Sequence, residues 1–317
     1  MIKFHNSFQK INLLLFFCGI CPFLRNATSS KYECSTLSTL YTLCLLGFYI
    51  SSLAVVQWLG LMDTFSFLST KSSFNNFIAY FELYIIFLTF VIIMHLTITN
   101  RFVHAEFFNI LIEFDQKLCD NFNVLIDYKQ LNVGFLFEIG IWTIFCAFIL
   151  NFTQGYFILG LSSLKMLLYY MVYDMKVLHF GFQVVYMKNC INFIRVRNSK
   201  IAQTLDRIVC EVNEYHLNNE NAQINCYIKC HLLWEAIHDC AKLRHCANKV
   251  FGNHIVYITV YAMLGGTIQT YRVFKEFTNI KELQPFIFID FLFYQIPICC
   301  LIITFYKTVH SADKPVS

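Results

Sequence analysis

Long windows without charged side chains constrain this chain more than any other feature of its sequence. The first window runs from Cys34 to Met62 and contains no Asp, Glu, Lys or Arg. The apolar core of a bilayer is about 30 Å thick, so a helix needs roughly 20 apolar residues to cross it. Only 14% of the residues are charged, against about 25% in an ordinary soluble domain. The sequence therefore predicts an all-α, polytopic helical membrane protein.

Six long apolar windows, two of them free of charge and four interrupted by one to three charged residues, predict six membrane spans, at about 40–61, 74–99, 131–150, 156–187, 250–271 and 285–306. The chain then divides into a cytoplasmic N-terminal segment with a membrane-surface helix (1–33), spans one to four (34–187), long amphipathic helices (188–249), spans five and six (250–306) and a short tail (307–317). Most of the 24 Lys and Arg residues fall on the side of the N-terminus, and such residues concentrate in cytoplasmic loops. Both ends and the amphipathic helices are therefore predicted to be cytoplasmic.

The amphipathic stretch carries an apolar stripe. Tyr227, Cys230, Trp234, Ile237 and Ala241 follow one another at steps of three and four residues, which is the period of one face of an α-helix. Such a face predicts packing, either within a cytoplasmic helical bundle or between subunits.

Three histidines on the same predicted helix do not indicate a metal site. His231, His238 and His245 are seven residues apart, which separates neighbouring ones by about 10 Å along a helix axis. Ligands that share an ion on one helix are four residues apart instead. We therefore expect no metal and no cofactor, and a net charge of +4 is too small to indicate nucleic acid.

Two segments of the chain resemble the insect gustatory receptor family. Leu14 to Phe23 is similar to the family's short pattern of a hydrophobic residue, Gly, another hydrophobic residue, any residue and Pro before the first span. Leu243 to Gly252 is similar to its leucine-rich helix followed by Asn, two residues, Phe or Tyr, and Gly. The resemblance implies a seven-span chemoreceptor with a cytoplasmic N-terminus, in the plasma membrane of sensory neurons.

The resemblance also implies a mechanism and an assembly. Members of that family are tastant-gated cation channels built as homo- or hetero-tetramers. The expected partners are thus a small-molecule tastant, the lipid bilayer and other receptor subunits, and the protein is predicted not to be an enzyme. Subunit contacts are expected on the amphipathic helix, at Tyr227, Trp234, Ile237 and Asn248.

One motif of the family is missing. Its seventh span carries Thr-Tyr, five hydrophobic residues and Gln-Phe, whereas Thr270-Tyr271 is followed by Arg272 and Lys275. The chain is therefore expected to be a receptor that is truncated before the seventh, pore-lining span, with six of seven spans present.

Polar and aromatic side chains in the outer halves of the spans are candidates for tastant binding. Aromatic walls with a few polar groups suit a small organic ligand, and ionisable residues inside spans are costly and often functional. For Glu138, in the cytoplasmic half, a structural ion pair is at least as good an interpretation. The ligand candidates are Tyr80, Glu82, Ser162, Lys165, Thr267, Gln269, Asp290 and Tyr294.

Two other interpretations stay open. An insect odorant receptor shares the inverted topology and the tetrameric channel plan, and the missing span would be the best discriminator. A membrane transporter is expected to show internal repeats and spans broken by Gly or Pro. No repeat is evident, and Pro297 is the only Pro well inside a predicted span.

Overall fold

The computed structural model describes residues 2–26, 31–58, 73–145, 174–214, 220–278 and parts of 299–310, which are mostly helical. The helices are α1 (Ile2–Phe17), α2 (Thr36–Trp58), α3 (Ser73–Thr99), α4 (Arg101–Phe122), α5 (Tyr128–Ile144), α6 (Asp174–Glu214) and α7 (Glu220–Thr278). Two short strands, β1 (Leu24–Arg25) and β2 (Tyr32–Glu33), pair as an antiparallel hairpin. The expected helical fold is confirmed, and the hairpin adds four residues of strand to it.

Glycine ends α1 and turns the chain into the protein. Gly19 has a φ of 72°, a left-handed conformation that favours glycine. A Cβ atom at Gly19 would also lie 2.8 Å from Cδ2 of Leu45. The turn sends Cys21 and Phe23 into the core, where both are fully buried. The Gly-containing pattern of residues 14–23 therefore has a local structural reason.

The apolar residues of α1 are divided between two environments. Ile11 and Leu15 are fully buried against the rest of the protein, whereas Leu14 and Phe17 are exposed. Tertiary packing therefore covers one face of α1, and the position of the exposed face on the membrane surface stays a prediction.

One helix of the described part, Thr36–Val55 within α2, is long and apolar enough by itself to cross a membrane. Phe87–Thr99 and Arg101–Phe122 qualify only as a pair, with a bend of 62° between them. Helix α4 carries charged residues, and one of them, Lys117, pairs with Asp239 of α7. The position of α4 outside the membrane stays a prediction. Since 146–173 and 281–298 lie outside the described residues, the count of six spans stays a prediction.

Helix α5 is apolar on both faces. Phe135 and Trp142 are buried in the protein, while Phe137 and Ile144 on the opposite face are exposed. A membrane span would present such an exposed apolar face to lipid. The third span stays a prediction.

Helix α7 is one unbroken helix of 59 residues, about 88 Å long at 1.5 Å per residue. It is much longer than the apolar thickness of a bilayer and therefore extends well beyond it. It runs antiparallel to α4, with Lys117 beside Asp239 at one end and Asn100 beside Val250 at the other. The predicted boundaries at 187/188 and 249/250 fall inside α6 and α7, so neither helix is interrupted there.

Candidate functional site

The predicted ligand-binding residues are only partly within the described structure. Tyr80 is half-buried on α3, and Thr267 is exposed on α7, where its hydroxyl donates to the Met263 carbonyl at 2.8 Å. Glu82 and Gln269 belong to these helices, but their side chains are outside the described part. Ser162, Lys165, Asp290 and Tyr294 lie outside the described residues altogether. Convergence of the eight residues on one pocket therefore stays a prediction.

Glu138 forms an ion pair between two helices. Its Oε1 atom lies 2.5 Å from Nζ of Lys188, and Nδ2 of Asn189 donates to its Oε2 at 3.0 Å. Both partners are on α6, so the carboxylate links α5 to α6. This confirms the structural interpretation of Glu138.

A fully buried arginine forms a polar network that the sequence did not single out. Arg197 is fully buried on α6, and its Nε and Nη2 atoms donate to the Asp115 carboxylate at 2.8 and 2.5 Å. Its Nη1 donates to the Phe193 carbonyl at 2.6 Å, and the Tyr128 hydroxyl also donates to Asp115. This network joins α4, the start of α5 and α6. Bidentate contacts of this kind are the stronger class of charged hydrogen bond.

Helix α4, the C-terminal part of α6 and the N-terminal part of α7 form a bundle that is predicted to be cytoplasmic, which we call the cytoplasmic layer. The ion pairs in this layer differ in their exposure. Burial raises the pKa of Asp115, and the Arg197 guanidinium opposes that rise. Burial works against ionisation of Asp239 too, but hydrogen bonds from Lys117 and Lys242 outweigh it and lower its pKa. The Lys117–Asp239 pair joins α4 to α7 at 2.5 Å with an exposed lysine, so its contribution is about 0.2–1 kcal/mol at most.

A cluster of rings lies where the α3–α4 bend meets α6 and α7. His104 from α4 is 6.3 Å from His254 of α7 and 6.1 Å from Tyr186 of α6, measured between ring centroids. Phe251, the aromatic residue of the motif at 243–252, lies 5.4 Å from His104 and 5.7 Å from Tyr186. Burial lowers the pKa of His104 well below its usual 6.5, and His254 lowers it further.

The predicted assembly stripe of α7 faces outward. Tyr227, Trp234 and Ile237 are 74%, 65% and 49% exposed, and Asn248 is exposed as well. Packing of α7 against α4 and α6 uses the neighbouring stripe of α7 instead, which contains Leu233, Ala236, Cys240, Leu243 and Ala247. Of the two alternatives predicted for Tyr227, Trp234 and Ile237, packing within the chain's own bundle is not observed, and packing between subunits stays a prediction.

The histidines of the same helix make separate contacts. His231 lies 3.8 Å from Glu235, and His238 stacks on Trp234 with an angle of 6° between the rings. Among the described residues, no group of three or more His, Cys, Asp and Glu side chains could hold a metal ion.

A periodic signal in the sequence could have found the missed arginine. Cys190, Phe193, Ile194 and Arg197 follow the steps of one helix face, and all four are buried. Arg197 was counted only as one of the basic residues that orient the chain. An arginine on an otherwise apolar helix face indicates a buried partner, although not which carboxylate supplies it.

The sequence was also compared with known proteins. The model of a family described as 7tm chemosensory receptor matches residues 11–314. No curated protein matches the sequence. The family match includes both segments on which the sequence resemblance rests, and it favours a receptor over a transporter.

Proposed function

The chain belongs to the 7tm chemosensory receptor family, of the insect gustatory receptor type, and we propose that it is a gustatory receptor for a small-molecule tastant. The match over residues 11–314 carries this proposal. The family consists of multi-pass membrane receptors, not enzymes. We place this receptor in the plasma membrane of sensory neurons, where a tastant outside the cell reaches the outer halves of the spans.

The architecture supports signal transfer from one side of the membrane to the other. α7 extends from the cytoplasmic layer through the predicted fifth span without a break. α6 joins the predicted fourth span to the same layer, where Arg197 and Asp115 connect it to α4. A ligand that binds one arrangement of the outer helices more tightly shifts the population toward that arrangement. Continuous helices carry the shift to the cytoplasmic layer.

We further propose that the response is a cation current through an assembly of subunits. The support is the outward stripe of α7 in the predicted cytoplasmic region, where water would otherwise surround Tyr227 and Trp234. Tyr and Trp are the residue types most enriched at the energetic centres of protein interfaces. A tetramer of like or unlike receptor subunits would bury this stripe.

Electrophysiology tests the receptor function. Whole-cell currents are recorded from cells that express residues 1–317, alone and with a second chemosensory receptor subunit, during application of sucrose, caffeine and carbon dioxide. We expect a cation current with at least one compound when the second subunit supplies a pore-lining span, no current from residues 1–317 alone, and a lower sensitivity of the current in Tyr80→Ala and Thr267→Val. Val133→Ala, on an exposed face of α5, is the matched control. Absence of any current although surface biotinylation detects the protein would contradict the proposal.

Thiol labelling tests the orientation separately. Cys210 and Cys230 are exposed on α6 and α7, in the region predicted to be cytoplasmic. A membrane-impermeant maleimide should label them only after the plasma membrane is permeabilised. Loss of labelling in the Cys210→Ser/Cys230→Ser variant identifies the sites. Equal labelling of intact cells would place these helices outside.

A further inference from the structure

The ring cluster of His104, His254 and Tyr186 contains four buried polar atoms that have no hydrogen-bond partner among the described residues. His104 is only 1% exposed, and neither of its ring nitrogens has a hydrogen-bond partner among the described residues. The same holds for Nδ1 of His254 and for the hydroxyl of Tyr186. Buried polar atoms are rarely left without a partner, so each exception calls for an explanation.

The three side chains cannot satisfy one another directly. With 6.3 Å between the centroids of His104 and His254, their ring nitrogens come no closer than about 4 Å, which exceeds the length of a hydrogen bond. The hydroxyl of Thr97 is 3.4 Å from Nε2 of His254, and the backbone carbonyls of Val250 and Ile93 lie near this imidazole, but its Nδ1 makes no hydrogen bond of acceptable geometry. The thiols of Cys21 and Cys190 lie near Tyr186, but sulfur is only a weak hydrogen-bond partner.

We propose that this cluster is an internal hydration site, in which ordered water bridges His104, His254 and Tyr186. A bridging water makes two hydrogen bonds of about 2.9 Å each, and so spans nitrogens about 4.5–5.8 Å apart. Water both donates and accepts, which suits a neutral imidazole with one donor and one acceptor nitrogen. Buried waters typically make about three such bonds.

The chemistry of the surroundings favours water over an ion. Burial lowers the pKa of His104, so the imidazole is neutral at physiological pH and does not attract an anion. Within the described residues the titratable neighbours of the cluster are the thiols of Cys21 and Cys190, and no set of three ligands for a metal is present. An anion and a metal ion are thus both disfavoured, and water is the neutral ligand that can both donate and accept hydrogen bonds here.

The position of the site gives it a structural role. His104 is in the first turn after the 62° bend between α3 and α4. His254 and Tyr186 are on the two helices that continue from the cytoplasmic layer toward the predicted fifth and fourth spans. Water at this point links three helices through hydrogen bonds that can exchange partners, in the layer where predicted spans and cytoplasmic helices meet.

A double-mutant cycle tests whether a shared molecule couples the side chains. Tyr186→Phe removes one hydroxyl, and His104→Phe replaces the imidazole by an apolar ring of similar shape. We expect each variant to lower the Tm of the purified full chain in nanodiscs, with a combined effect smaller than the sum of the two single effects, since both remove partners of one water.

Tyr49→Phe is the control, because Tyr49 is a buried tyrosine packed on Phe90. Its effect on the Tm should add to that of His104→Phe. An unchanged or higher Tm for both Tyr186→Phe and His104→Phe would overturn the proposal, because removal of an unpaired polar group from a dry site is neutral or stabilising.

Radiolytic hydroxyl-radical footprinting of the unsubstituted chain gives a direct readout that does not depend on a variant's folding. Radicals formed from trapped water oxidise adjacent side chains even when these are buried. We expect Tyr186 to be oxidised several-fold faster than Tyr49, although Tyr49 is the more exposed of the two at 5% against 0%. Labelled oxygen should be incorporated slowly after a pulse of ¹⁸O-labelled water. Equal rates for the two tyrosines would overturn the proposal.

Discussion

At the scale of single residues, Arg197 is the side chain whose loss should damage the protein most. Arg197→Met leaves the Asp115 carboxylate buried without its cation, and breaking such a pair costs about 3–5 kcal/mol. That is a large part of the stability of a typical domain, about 5–15 kcal/mol. We expect a large fall in the yield of monodisperse protein, measured by fluorescence-detected size-exclusion chromatography.

The double variant Arg197→Met/Asp115→Leu is the matched control for charge burial. It removes both ions, and an apolar pair in place of a buried ion pair is often neutral or stabilising. It should recover much of the yield that Arg197→Met loses. If the double variant is no better than the single one, the unpaired carboxylate is not the cause of the damage.

His104 should make the stability of the protein depend on pH. Because its folded pKa is lowered below 6.5, the unfolded chain binds the proton more readily. The contribution of neutral His104 to the free energy of unfolding is fully present above the pKa of this histidine in the unfolded chain. It is lost as the pH falls below about 6.5, by at most about 1.4 kcal/mol per pH unit. His104→Gln should therefore lose less stability between pH 7.5 and 5.5 than the unsubstituted chain, in thermal unfolding experiments.

His238 provides the control for that pH dependence. It is exposed on α7, and His238→Gln should leave the loss of stability between pH 7.5 and 5.5 unchanged. An equal loss in the His104→Gln variant and in the unsubstituted chain would show that His104 is not the group responsible.

At the scale of elements, the contact between α5 and α6 depends on a glycine. A Cβ atom at Gly181 would lie 1.6 Å from Nε1 of Trp142, and Trp142 is itself held by stacking on Phe145. Gly181→Ala therefore has to push the two helices apart or displace the indole. We expect a marked loss of folded protein at the cell surface, measured by surface biotinylation.

Gly140 on α5 is the matched control, because a Cβ atom there would meet nothing within 4 Å. Gly140→Ala should be tolerated or even stabilising, since alanine favours a helix by about 1 kcal/mol over glycine. The combination Gly181→Ala/Trp142→Leu, with a smaller partner, should recover part of the loss. Normal surface levels of Gly181→Ala alone would contradict the packing argument.

The elements also show how far helical periodicity can be trusted. The low charge of the apolar windows, rather than periodicity, places α2, α3 and α5 close to their observed positions. Periodicity finds an apolar stripe on α7. Periodicity does not tell which of two adjacent stripes packs inside the chain, because Trp234 and Leu233 are neighbours in sequence and only contacts with α4 and α6 distinguish them.

At the scale of the whole molecule, the outward stripe of α7 predicts self-association or association with related subunits. Tyr227→Ser/Trp234→Ser removes two large exposed side chains without disturbing the buried stripe. We expect the mass of the purified receptor in detergent to shift from an oligomer toward a monomer, by light scattering coupled to size exclusion. Leu125→Ser, an exposed position between α4 and α5, should leave the oligomer intact. The same mass for all three proteins would exclude this stripe as the interface.

The sequence by itself determined that the chain is a helical membrane protein of a chemosensory receptor type. These properties depend on the composition of continuous windows and on short local motifs, such as Gly19 at the end of α1 and Phe251 before Gly252. The tertiary structure alone decided the partners of Arg197 and the meeting of His104, His254 and Tyr186. Asp115 and Arg197 are 82 positions apart, and no local period reports which distant helix supplies the second member of a buried pair.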